Sequence, residues 1–560
     1  MRTLRRPETI APMDDTNGTL HEPTLCAAFQ RTAAARPDAV ALRTEGDGVS
    51  ITWGEYARRV RRIAEGLHAL GLRRGDTLAL LLTNRPEFHL LDAAAFHLGA
   101  VPFSIYPTSA PEQVAFVVRD SGARIAITES ALRGRLDAVH DLEHVVVIDA
   151  PGELEALEER RVPRFDYEAT WRAVTEEDLL TLIYTSGTTG PPKGVELTHR
   201  NLLAAWRGLR VSWPDISVGG RLISYLPTAH IADRFGSHYV AMLFGHCVTS
   251  CRDPRRVGQL LPEVRPTVFP GVPRVWQKLK AGVEAAVPVP PAEMDDATRA
   301  AIRSRLGLDR CEVAVCAAAP VPREVLAYFD ALGVPMREVY GLSETCAVVT
   351  ANPAGGVRLG TVGRPTPGVE LRLAGDGEVL VRGDLVMRGY RNRLDQTVEA
   401  IDADGWLHTG DVGSLDEDGY LTIIDRKKEL IINAAGKNMS PANIEAALKG
   451  AGSLISQACV VGDARPYNVA LLTLDPEPVA ALVARRGEDA VHEEVAAAVE
   501  RANARLSRVE QIKRYRVLDA DWQPAGVELT PTMKLRRRAI AERYADEIEA
   551  LYAQRSAGVR

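Results

Sequence analysis

Hydrophobic residues recur with a helical period over residues 52–70, and Gly71 then supplies a stop signal. The apolar stripe consists of Val60, Ile63, Ala64, Leu67 and Leu70. Helical stretches then separate a series of short aliphatic runs, at residues 78–82, 100–103, 124–128 and 145–148. Strands that alternate with helices in this way predict a parallel sheet with helices on both faces. The chain is therefore predicted to be an α/β protein.

A different pattern begins after residue 420. Short apolar strands are predicted at residues 421–425, 459–462 and 469–474, and a long helix is predicted over residues 488–506. At 560 residues the chain is too long for one simple core. We therefore expect two or more domains, the last of which is a compact α+β unit.

Composition and charge narrow the function classes. A net charge of −6 argues against a general nucleic-acid binder, and no apolar run approaches the roughly 20 residues of a membrane helix. The seven cysteines are scattered and odd in number, which predicts reduced thiols and a cytoplasmic protein. Basic residues near the N-terminus lack an apolar segment after them, so residues 1–20 are expected to form a flexible tail and not a secretory signal.

The most informative stretch is TLIYTSGTTGPPKGVELTH, from Thr181 to His199. A buried strand is followed by ten residues that are almost all Ser, Thr, Gly, Pro or Lys, and a second strand then begins. Hydroxyls and backbone N–H groups in such turns can form an anion nest, which suits a polyphosphate. The stretch is not a Walker A loop, because Lys193 is followed by glycine and a strand. The alternative is a flexible surface loop.

This stretch closely resembles the phosphate-binding loop of AMP-forming acyl-CoA synthetases and their relatives, the adenylation domains of peptide synthetases and the beetle luciferases. The resemblance extends from about residue 50 to the C-terminus. It implies that the loop residues bind the phosphates of ATP, namely Thr185, Ser186, Gly187, Thr188, Thr189, Gly190 and Lys193.

Two further motifs match the family. In Tyr340-Gly341-Leu342-Ser343-Glu344-Thr345 the resemblance implies that Glu344 holds Mg²⁺, and a hard divalent ion does prefer carboxylate and phosphate oxygens. It further implies that Ser343 contacts the α-phosphate and that Tyr340, beside Gly341, stacks on adenine; simple core packing is the alternative for Tyr340. Asp411, after a Thr-Gly turn, is expected to accept the ribose hydroxyls.

The remaining site residues also follow from the resemblance. His230, in SYLPTAHIADRFG, is expected beside the carboxylate pocket, although a solitary histidine is more often a hydrogen-bonded core residue. Arg426 is expected to reach the ribose and Lys428 to be the pivot of a hinge. Gly436 and Lys437 are expected to line the CoA tunnel. Lys534 matches the single essential lysine of the family, although basic runs are common near chain ends.

The same mapping divides the chain. It predicts a large N-terminal adenylation domain over residues 21–425, built of parallel-rich sheets wrapped by helices. A hinge over residues 426–429 and a small, mobile α+β C-terminal domain over residues 430–560 are expected to follow. One departure from the family lies at Cys316-Ala317-Ala318-Ala319-Pro320, where relatives usually carry Ser-Gly-Gly-Ala-Pro beside the adenine. Because alanine does not easily adopt the positive φ angles open to glycine, this turn is expected to differ.

The predicted function is ATP-dependent activation of a carboxylic acid, a medium- or long-chain fatty acid, through acyl-AMP to acyl-CoA. Thr185, His230, Glu344 and Lys534 are the predicted catalytic residues. Mg²⁺ is the expected cofactor, ATP and CoA are co-substrates, and peripheral membrane contact is compatible with a fatty substrate. Two alternatives remain: an adenylating enzyme that loads a carrier protein, and a catalytically silent acyl-adenylate or lipid-binding relative.

Overall fold

The computed structural model describes residues 3–4, 18–185, 191–317, 321–433, 438–523, 526–530 and 533–553. The predicted parallel sheet is present and has four strands, in the spatial order Val101–Ser104, Thr77–Leu81, Ile125–Thr128 and His144–Val147. The amphipathic helix predicted at residues 52–70 spans Trp53–Ala69, and the Thr52 side chain caps it by accepting a hydrogen bond from the Glu55 backbone N–H. The α/β class is thus confirmed.

Two more sheets complete the centre of the N-terminal domain. One contains Arg221–Ser224, Cys247–Ser250, Val40–Thr44 and Ser50–Thr52. The other contains Val268–Gly271, Val313–Cys316, Met336–Tyr340, Thr350–Ala351 and Arg364–Pro365. In each sheet the first three strands run parallel and the remaining pairs are antiparallel.

The stretch singled out in the sequence forms an antiparallel hairpin of Leu179–Thr185 and Lys193–Thr198, and Gly389–Tyr390 pairs with its second strand. Thr198 and Asn201 form a capping box that starts the helix His199–Ser212. The capping residue and the apolar positions that follow it are the sequence signals of this helix.

The last N-terminal sheet is antiparallel and contains Thr3–Leu4, Glu370–Leu373, Glu378–Arg382, Leu407–Leu415 and Leu421–Arg426. Residues 1–20 were expected to form a flexible tail, and both described parts of this range differ from that expectation. Thr3–Leu4 pairs with Glu370–Leu373. Thr19 and Leu20 are buried, and the Arg207 guanidinium donates to the Leu20 carbonyl at 2.7 Å, because an apolar side chain in a polar stretch can still anchor it to the core.

Helices cover these sheets. In chain order the remaining α-helices of the N-terminal domain are Leu25–Ala35, Pro86–His97, Pro111–Ser121, Glu153–Glu159, Tyr167–Arg172, Ile231–Asp233, Val240–Phe244, Val257–Val264, Pro273–Ala286, Asp296–Leu306, Arg323–Ala331 and Leu394–Ala400. A π-helical turn, Arg234–Tyr239, joins two of them.

The C-terminal domain is smaller. It contains a sheet of Ile455–Val461, Asn468–Leu474 and Ile512–Val517, a two-stranded ribbon of Ile431–Ile432 and Asn438–Met439, and the helices Pro441–Gly450, Pro476–Arg486, Asp489–Arg505, Arg537–Arg543 and Ala545–Ala553. Its two clusters of buried hydrophobic side chains draw only on residues after 430, whereas the three N-terminal clusters draw only on residues before 422. The described chain therefore has two sets of cores.

Candidate active site

A cavity of about 2,500 Å³ lies where the two domains meet. Its lining includes every predicted site residue that the structure describes, namely Thr185, Lys193, His230, Tyr340, Gly341, Ser343, Glu344, Asp411, Arg426, Lys428 and Lys534. Seven predicted residues lie outside the described parts of the chain: Ser186, Gly187, Thr188, Thr189, Gly190, Gly436 and Lys437. Residues that are up to 349 positions apart in the sequence are thus brought to one cavity.

Thr185 and Lys193 face each other at the end of the hairpin. They are paired across the two strands, and Thr185 Oγ1 donates to the Lys193 carbonyl at 3.5 Å. The Lys193 ammonium lies 4.9 Å from the centre of the Tyr390 ring, within range of a cation–π interaction. The hairpin therefore presents a hydroxyl and a cation side by side at the cavity wall.

Glu344 lies in a short helical turn directly after the strand Met336–Tyr340. Its Oε1 accepts a hydrogen bond from the Tyr390 hydroxyl at 2.9 Å. Burial and the neighbouring Glu344 carboxylate raise the pKa of Tyr390, so this hydroxyl remains a donor. Tyr390 was not predicted as a site residue, yet it contacts both Lys193 and Glu344.

The carboxylate of Glu344 also fits a nucleotide-bound cation. The described residues contain no group of three or more His, Cys, Asp or Glu side chains arranged to hold a metal ion. A single carboxylate beside a polyphosphate suits Mg²⁺, which takes one or two protein carboxylates and completes its shell with phosphate oxygens and water.

Asp411 connects two other predicted residues. Its Oδ2 accepts from the Tyr340 hydroxyl at 2.7 Å, and its Oδ1 lies 2.9 Å from Arg426 Nε. Asp411 and Arg426 are direct partners across the strands Leu407–Leu415 and Leu421–Arg426. Burial raises the pKa of Asp411, and the charge of Arg426 and the Tyr340 hydroxyl oppose that rise. Each carboxylate oxygen retains a lone pair for a further donor.

Lys534 comes from the C-terminal domain. It lies in a turn in which the Thr530 N–H donates to the Lys534 carbonyl at 2.8 Å and the Lys534 N–H donates to Thr530 Oγ1 at 3.0 Å. The surrounding protein and then the charge of Arg426 lower the pKa of Lys534, whereas Asp411 and Glu344 oppose the shift. Lys534 lines the same cavity as these three side chains.

His230 lies at the start of the helix Ile231–Asp233. Its Nδ1 accepts from the Ala232 N–H at 3.1 Å, which leaves the proton of the neutral ring on Nε2. Burial and the nearby Lys534 lower the pKa of His230 to about 4. The imidazole is therefore neutral near pH 7.

The turn that carries His230 is fixed by a buried ionic network that sequence reasoning missed. Arg234 Nε donates to the Thr228 carbonyl at 3.1 Å, and its two terminal nitrogens bind the Asp92 carboxylate and Ser104 Oγ. His238 Nε2 lies 3.0 Å from the other Asp92 oxygen. The signal available in the sequence was a lone aspartate in the otherwise apolar run LLDAAAF.

Within the predicted hinge, residues 426–429, neighbouring side chains contact different domains. The Lys427 N–H donates to the Gly410 carbonyl at 2.8 Å, and Lys427 Nζ lies 3.0 Å from Glu378 of the N-terminal domain. Glu429 lies 3.3 Å from Arg537 of the C-terminal domain. Lys428, between them, is exposed at the cavity.

One side of the cavity is apolar. Trp206 and Leu209 of the helix His199–Ser212 line it, together with Trp213, Ile231 and Phe235. The Trp206 and Phe235 rings stack with their centres 4.6 Å apart. Such a wall suits the hydrocarbon part of a ligand.

The departure at residues 316–320 is only partly described. Cys316 is buried at the end of its strand, and Ala317 lines the cavity, whereas Ala318, Ala319 and Pro320 lie outside the described residues.

Glu338 lies beside Cys316 on the neighbouring strand and was not predicted as a site residue. Burial raises the pKa of Glu338 to about 7, and its Oε2 accepts from the Gly360 N–H at 2.7 Å.

Comparison with known proteins identifies the family. Residues 29–391 match the AMP-binding enzyme family, and residues 428–556 match the AMP-binding enzyme C-terminal domain. A putative fatty-acid–CoA ligase of Mycobacterium tuberculosis, fadD11, is 45% identical over 484 residues, which cover 78% of this chain and 84% of that protein. The long-chain-fatty-acid–CoA ligase FadD15 of Mycobacterium bovis is 36% identical, with coverage of 92% and 95%.

A solved structure shares the fold. The o-succinylbenzoate–CoA synthetase MenE of Bacillus subtilis, in complex with ATP and a magnesium ion, superposes with a TM-score of 0.71 at 24% identity and covers 91% of this chain and 98% of its own. The large N-terminal domain and the smaller C-terminal domain are common to both. The chain therefore belongs to the AMP-binding enzyme family, and within it to the adenylate-forming acyl-CoA synthetases.

Proposed function

We propose that this protein uses ATP to activate a medium- or long-chain fatty acid and transfers the acyl group to CoA, with release of AMP and pyrophosphate. One observation carries this proposal: Lys534 of the C-terminal domain shares one cavity with Glu344, Asp411 and Arg426 of the N-terminal domain. A binding module would not need a lysine delivered from a second domain. The names of the relatives fadD11 and FadD15 support the same substrate class.

In the first half-reaction, a carboxylate oxygen of the acid attacks the α-phosphorus of ATP, and the bond to the pyrophosphate oxygen breaks. The products are acyl-AMP and pyrophosphate. Negative charge builds up on phosphate oxygens, so the protein contributes positioning and charge stabilisation and no covalent intermediate. Lys193 and Lys534 supply positive charge, and Thr185 and the loop residues Ser186, Gly187, Thr188, Thr189 and Gly190 supply hydrogen-bond donors.

Glu344 would hold Mg²⁺, which supplies neutralisation of the phosphate charge when bound. The Tyr390 hydroxyl at 2.9 Å fixes one oxygen of Glu344 and leaves the other free for the ion. The magnesium ion reported in the MenE complex supports the same assignment by analogy of fold.

The nucleoside would be held by the connected side chains Asp411, Arg426 and Tyr340. Asp411 accepts the ribose hydroxyls with its remaining lone pairs, and Arg426 reaches the same sugar. The hydrogen bond between Tyr340 and Asp411 fixes the tyrosine ring at the cavity wall, where it stacks on adenine beside Gly341. Ser343 is placed one residue from Glu344 and contacts the α-phosphate.

The acid would enter with its carboxylate at His230 and its hydrocarbon chain along the apolar wall. A neutral His230 can donate from Nε2 to a carboxylate oxygen without forming an ion pair that would make the nucleophile less reactive. Trp206 and Phe235 form part of this wall, along which the hydrocarbon of the acid would lie.

In the second half-reaction, the thiol of CoA attacks the acyl carbon, the bond to AMP breaks, and the thiol proton leaves to solvent. The C-terminal domain, residues 430–560, would rotate about Lys428, remove Lys534 and bring Gly436 and Lys437 to the pantetheine tunnel. The change of hydrogen-bond partners between Lys427 and Glu429 supports a pivot at this residue.

The decisive experiment is a screen of straight-chain acids of graded length for exchange of labelled pyrophosphate into ATP, followed by mass spectrometry of the thioester. We expect exchange with medium- or long-chain acids and a CoA thioester as the product. Transfer to a phosphopantetheinyl carrier protein in place of CoA would favour the carrier-loading alternative. Absence of exchange with every acid would favour a catalytically silent relative.

No helix within the described residues combines the length and apolar character that a membrane span requires. We propose a cytoplasmic location, in which CoA and ATP are available and the thiols stay reduced. All seven cysteines are free thiols in the structure.

A further inference from the structure

Lys534 can act only if the C-terminal domain is held against the N-terminal domain, and one arginine makes two of the polar contacts between them. Arg274 lies in the first turn of the helix Pro273–Ala286 of the N-terminal domain. Its Nη2 lies 2.8 Å from Asp475 Oδ2, and its Nη1 donates to Ser456 Oγ at 3.0 Å, both in the C-terminal domain. One planar guanidinium therefore bridges two elements of the other domain.

The two acceptors of Arg274 are also held by hydrogen bonds within the C-terminal domain. Asp475 caps the helix Pro476–Arg486, and its other oxygen accepts from the Glu477 N–H at 3.2 Å. Ser456 donates its hydroxyl proton to Asp521 at 2.8 Å, which turns a lone pair towards Arg274. Because these groups are already ordered, the contact costs little additional side-chain entropy.

Burial and charge also favour this contact. The side chain of Asp475 is 12% exposed and that of Arg274 is 39% exposed, so the pair is shielded more than an ordinary surface ion pair. Lys278, one turn further along the same helix, lies 3.9 Å from the same Asp475 oxygen. A further ion pair, between Arg505 and Glu324, joins the domains elsewhere on the interface.

We propose that Arg274 is a positioning residue for acyl-AMP formation, which acts by holding the C-terminal domain in the orientation that places Lys534 in the cavity. Neither the resemblance to the family nor the matched relatives assigns this role to Arg274. The inference rests on the proposed function, because its readout is the adenylation half-reaction. The Arg274–Asp475 pair is formed in the orientation in which Lys534 lines the cavity, so its loss is expected to shift the population away from that orientation.

The test compares the two half-reactions in the full-length protein. Arg274→Ala is expected to slow acyl-AMP formation roughly five- to thirtyfold, which is the range between an exposed and a desolvated interfacial ion pair. Conversion of supplied acyl-AMP and CoA to thioester is expected to stay at the wild-type rate or rise. Arg133→Ala is a matched control, because Arg133 is also a partly exposed arginine but pairs with Asp137 inside the N-terminal domain.

A charge exchange gives a second, independent readout. Asp475→Arg alone places two cations together and is expected to slow adenylation at least as much as Arg274→Ala. Combining it with Arg274→Asp restores opposite charges and is expected to recover part of the lost rate. Losses that simply add in the double variant would show that the two charges do not act as a pair.

Different results would overturn different statements. If the wild-type protein exchanges no pyrophosphate with any acid, the proposed function fails. If the wild-type protein is active and Arg274→Ala keeps the wild-type adenylation rate, or loses both half-reactions equally, the role assigned to Arg274 is wrong. The rate of acyl-AMP formation is also measured for Asp475→Arg and Arg274→Asp separately. If the double variant is no faster than the product of these two losses predicts, the role is also wrong.

Discussion

Lys427 and Glu429 are separated by a single residue and bind different domains. Lys427 Nζ lies 3.0 Å from Glu378 in the antiparallel sheet of the N-terminal domain, whereas Glu429 lies 3.3 Å from Arg537 in the C-terminal domain. The chain between them contributes the backbone dihedrals of Lys428 and its two peptide planes. Rotation of one domain against the other can thus be confined to this position, with both side-chain contacts kept.

A proline at the pivot is expected to separate the two half-reactions. Lys428→Pro fixes φ near −65° and restricts the residue before it, so rotation about this position is impeded. We expect acyl-AMP formation to remain and thioester formation to fall at least tenfold, measured by pyrophosphate exchange and by conversion of supplied acyl-AMP. Lys428→Ala, which keeps rotation free, is the control. A proline variant with normal thioester formation would contradict a pivot at this residue.

Removal of the delivered lysine should have the opposite effect. Lys534→Ala is expected to raise the activation free energy of acyl-AMP formation by about 3–4 kcal/mol, which is the typical effect of removing one stabilising group. Supplied acyl-AMP should still be converted to thioester. Lys513→Ala, an exposed lysine that contacts Gln511, serves as the control in the same assays. Equal loss of both half-reactions in Lys534→Ala would count against a role confined to the first step.

The metal assignment predicts a change in magnesium dependence. Glu344→Gln keeps an oxygen that can accept from Tyr390 but removes the charge that Mg²⁺ requires. We expect the concentration of Mg²⁺ for half-maximal pyrophosphate exchange to rise at least tenfold. Tyr390→Phe leaves the carboxylate charged and should shift it much less. An unchanged magnesium dependence in Glu344→Gln would remove the carboxylate from the metal site.

The buried pair Arg234–Asp92 predicts a loss of stability. Both side chains are inaccessible to solvent. Arg234→Met leaves the Asp92 charge buried without its main partner, which is expected to cost about 3–5 kcal/mol of unfolding free energy. The double variant Arg234→Met with Asp92→Leu should lose less, because no uncompensated charge remains. Urea denaturation measures the unfolding free energy of both variants. A double variant that is less stable than Arg234→Met would show that the unpaired charge of Asp92 is not the main cost.

Buried histidines predict a loss of stability in acid. His97, His199 and His246 are fully buried, and burial lowers their pKa values to about 4, 3 and 4. In the unfolded chain a histidine titrates near 6.5. Between these values the unfolded state binds more protons, so the stabilisation is complete above pH 6.5 and is lost as the pH falls towards 4.

Each of these histidines is expected to contribute on the order of 3 kcal/mol to that loss. Thermal melts at pH 7, 6, 5 and 4 measure it. His199→Asn retains an acceptor for the Leu25 N–H, which His199 Nδ1 accepts at 3.1 Å, and it should flatten the dependence on pH. The same slope in the variant and in the wild-type protein would contradict the assignment.

Much of the fold was predictable because local signals agree with the tertiary structure. The helix Trp53–Ala69 has an apolar stripe, a threonine cap and a glycine stop, and its bounds fall within one residue of the prediction. The region of residues 288–296 is rich in prolines, which by themselves favour an irregular loop. Met294 is buried and Asp295 caps the next helix, since one apolar side chain and one cap anchor a proline-rich stretch.

The site was predictable only where a motif is continuous in sequence. Lys193, Glu344 and Asp411 lie in such motifs. Tyr390 does not: it reaches Lys193 and Glu344 because Gly389–Tyr390 pairs with the strand Lys193–Thr198, and that pairing joins residues almost 200 positions apart. No periodicity in the sequence reports a contact of this kind. The partners of Arg274 could not be predicted from the sequence either, because they lie in the other domain.

The separate cores of the two domains have a consequence for heat inactivation. Buried apolar clusters hold each part together independently, while the contacts between the parts include ion pairs such as Arg274–Asp475. Warming should therefore uncouple the two halves, and catalysis should decay at a temperature where each half is still fully folded. A calorimetric scan would then record its main transition above the point at which turnover has already stopped.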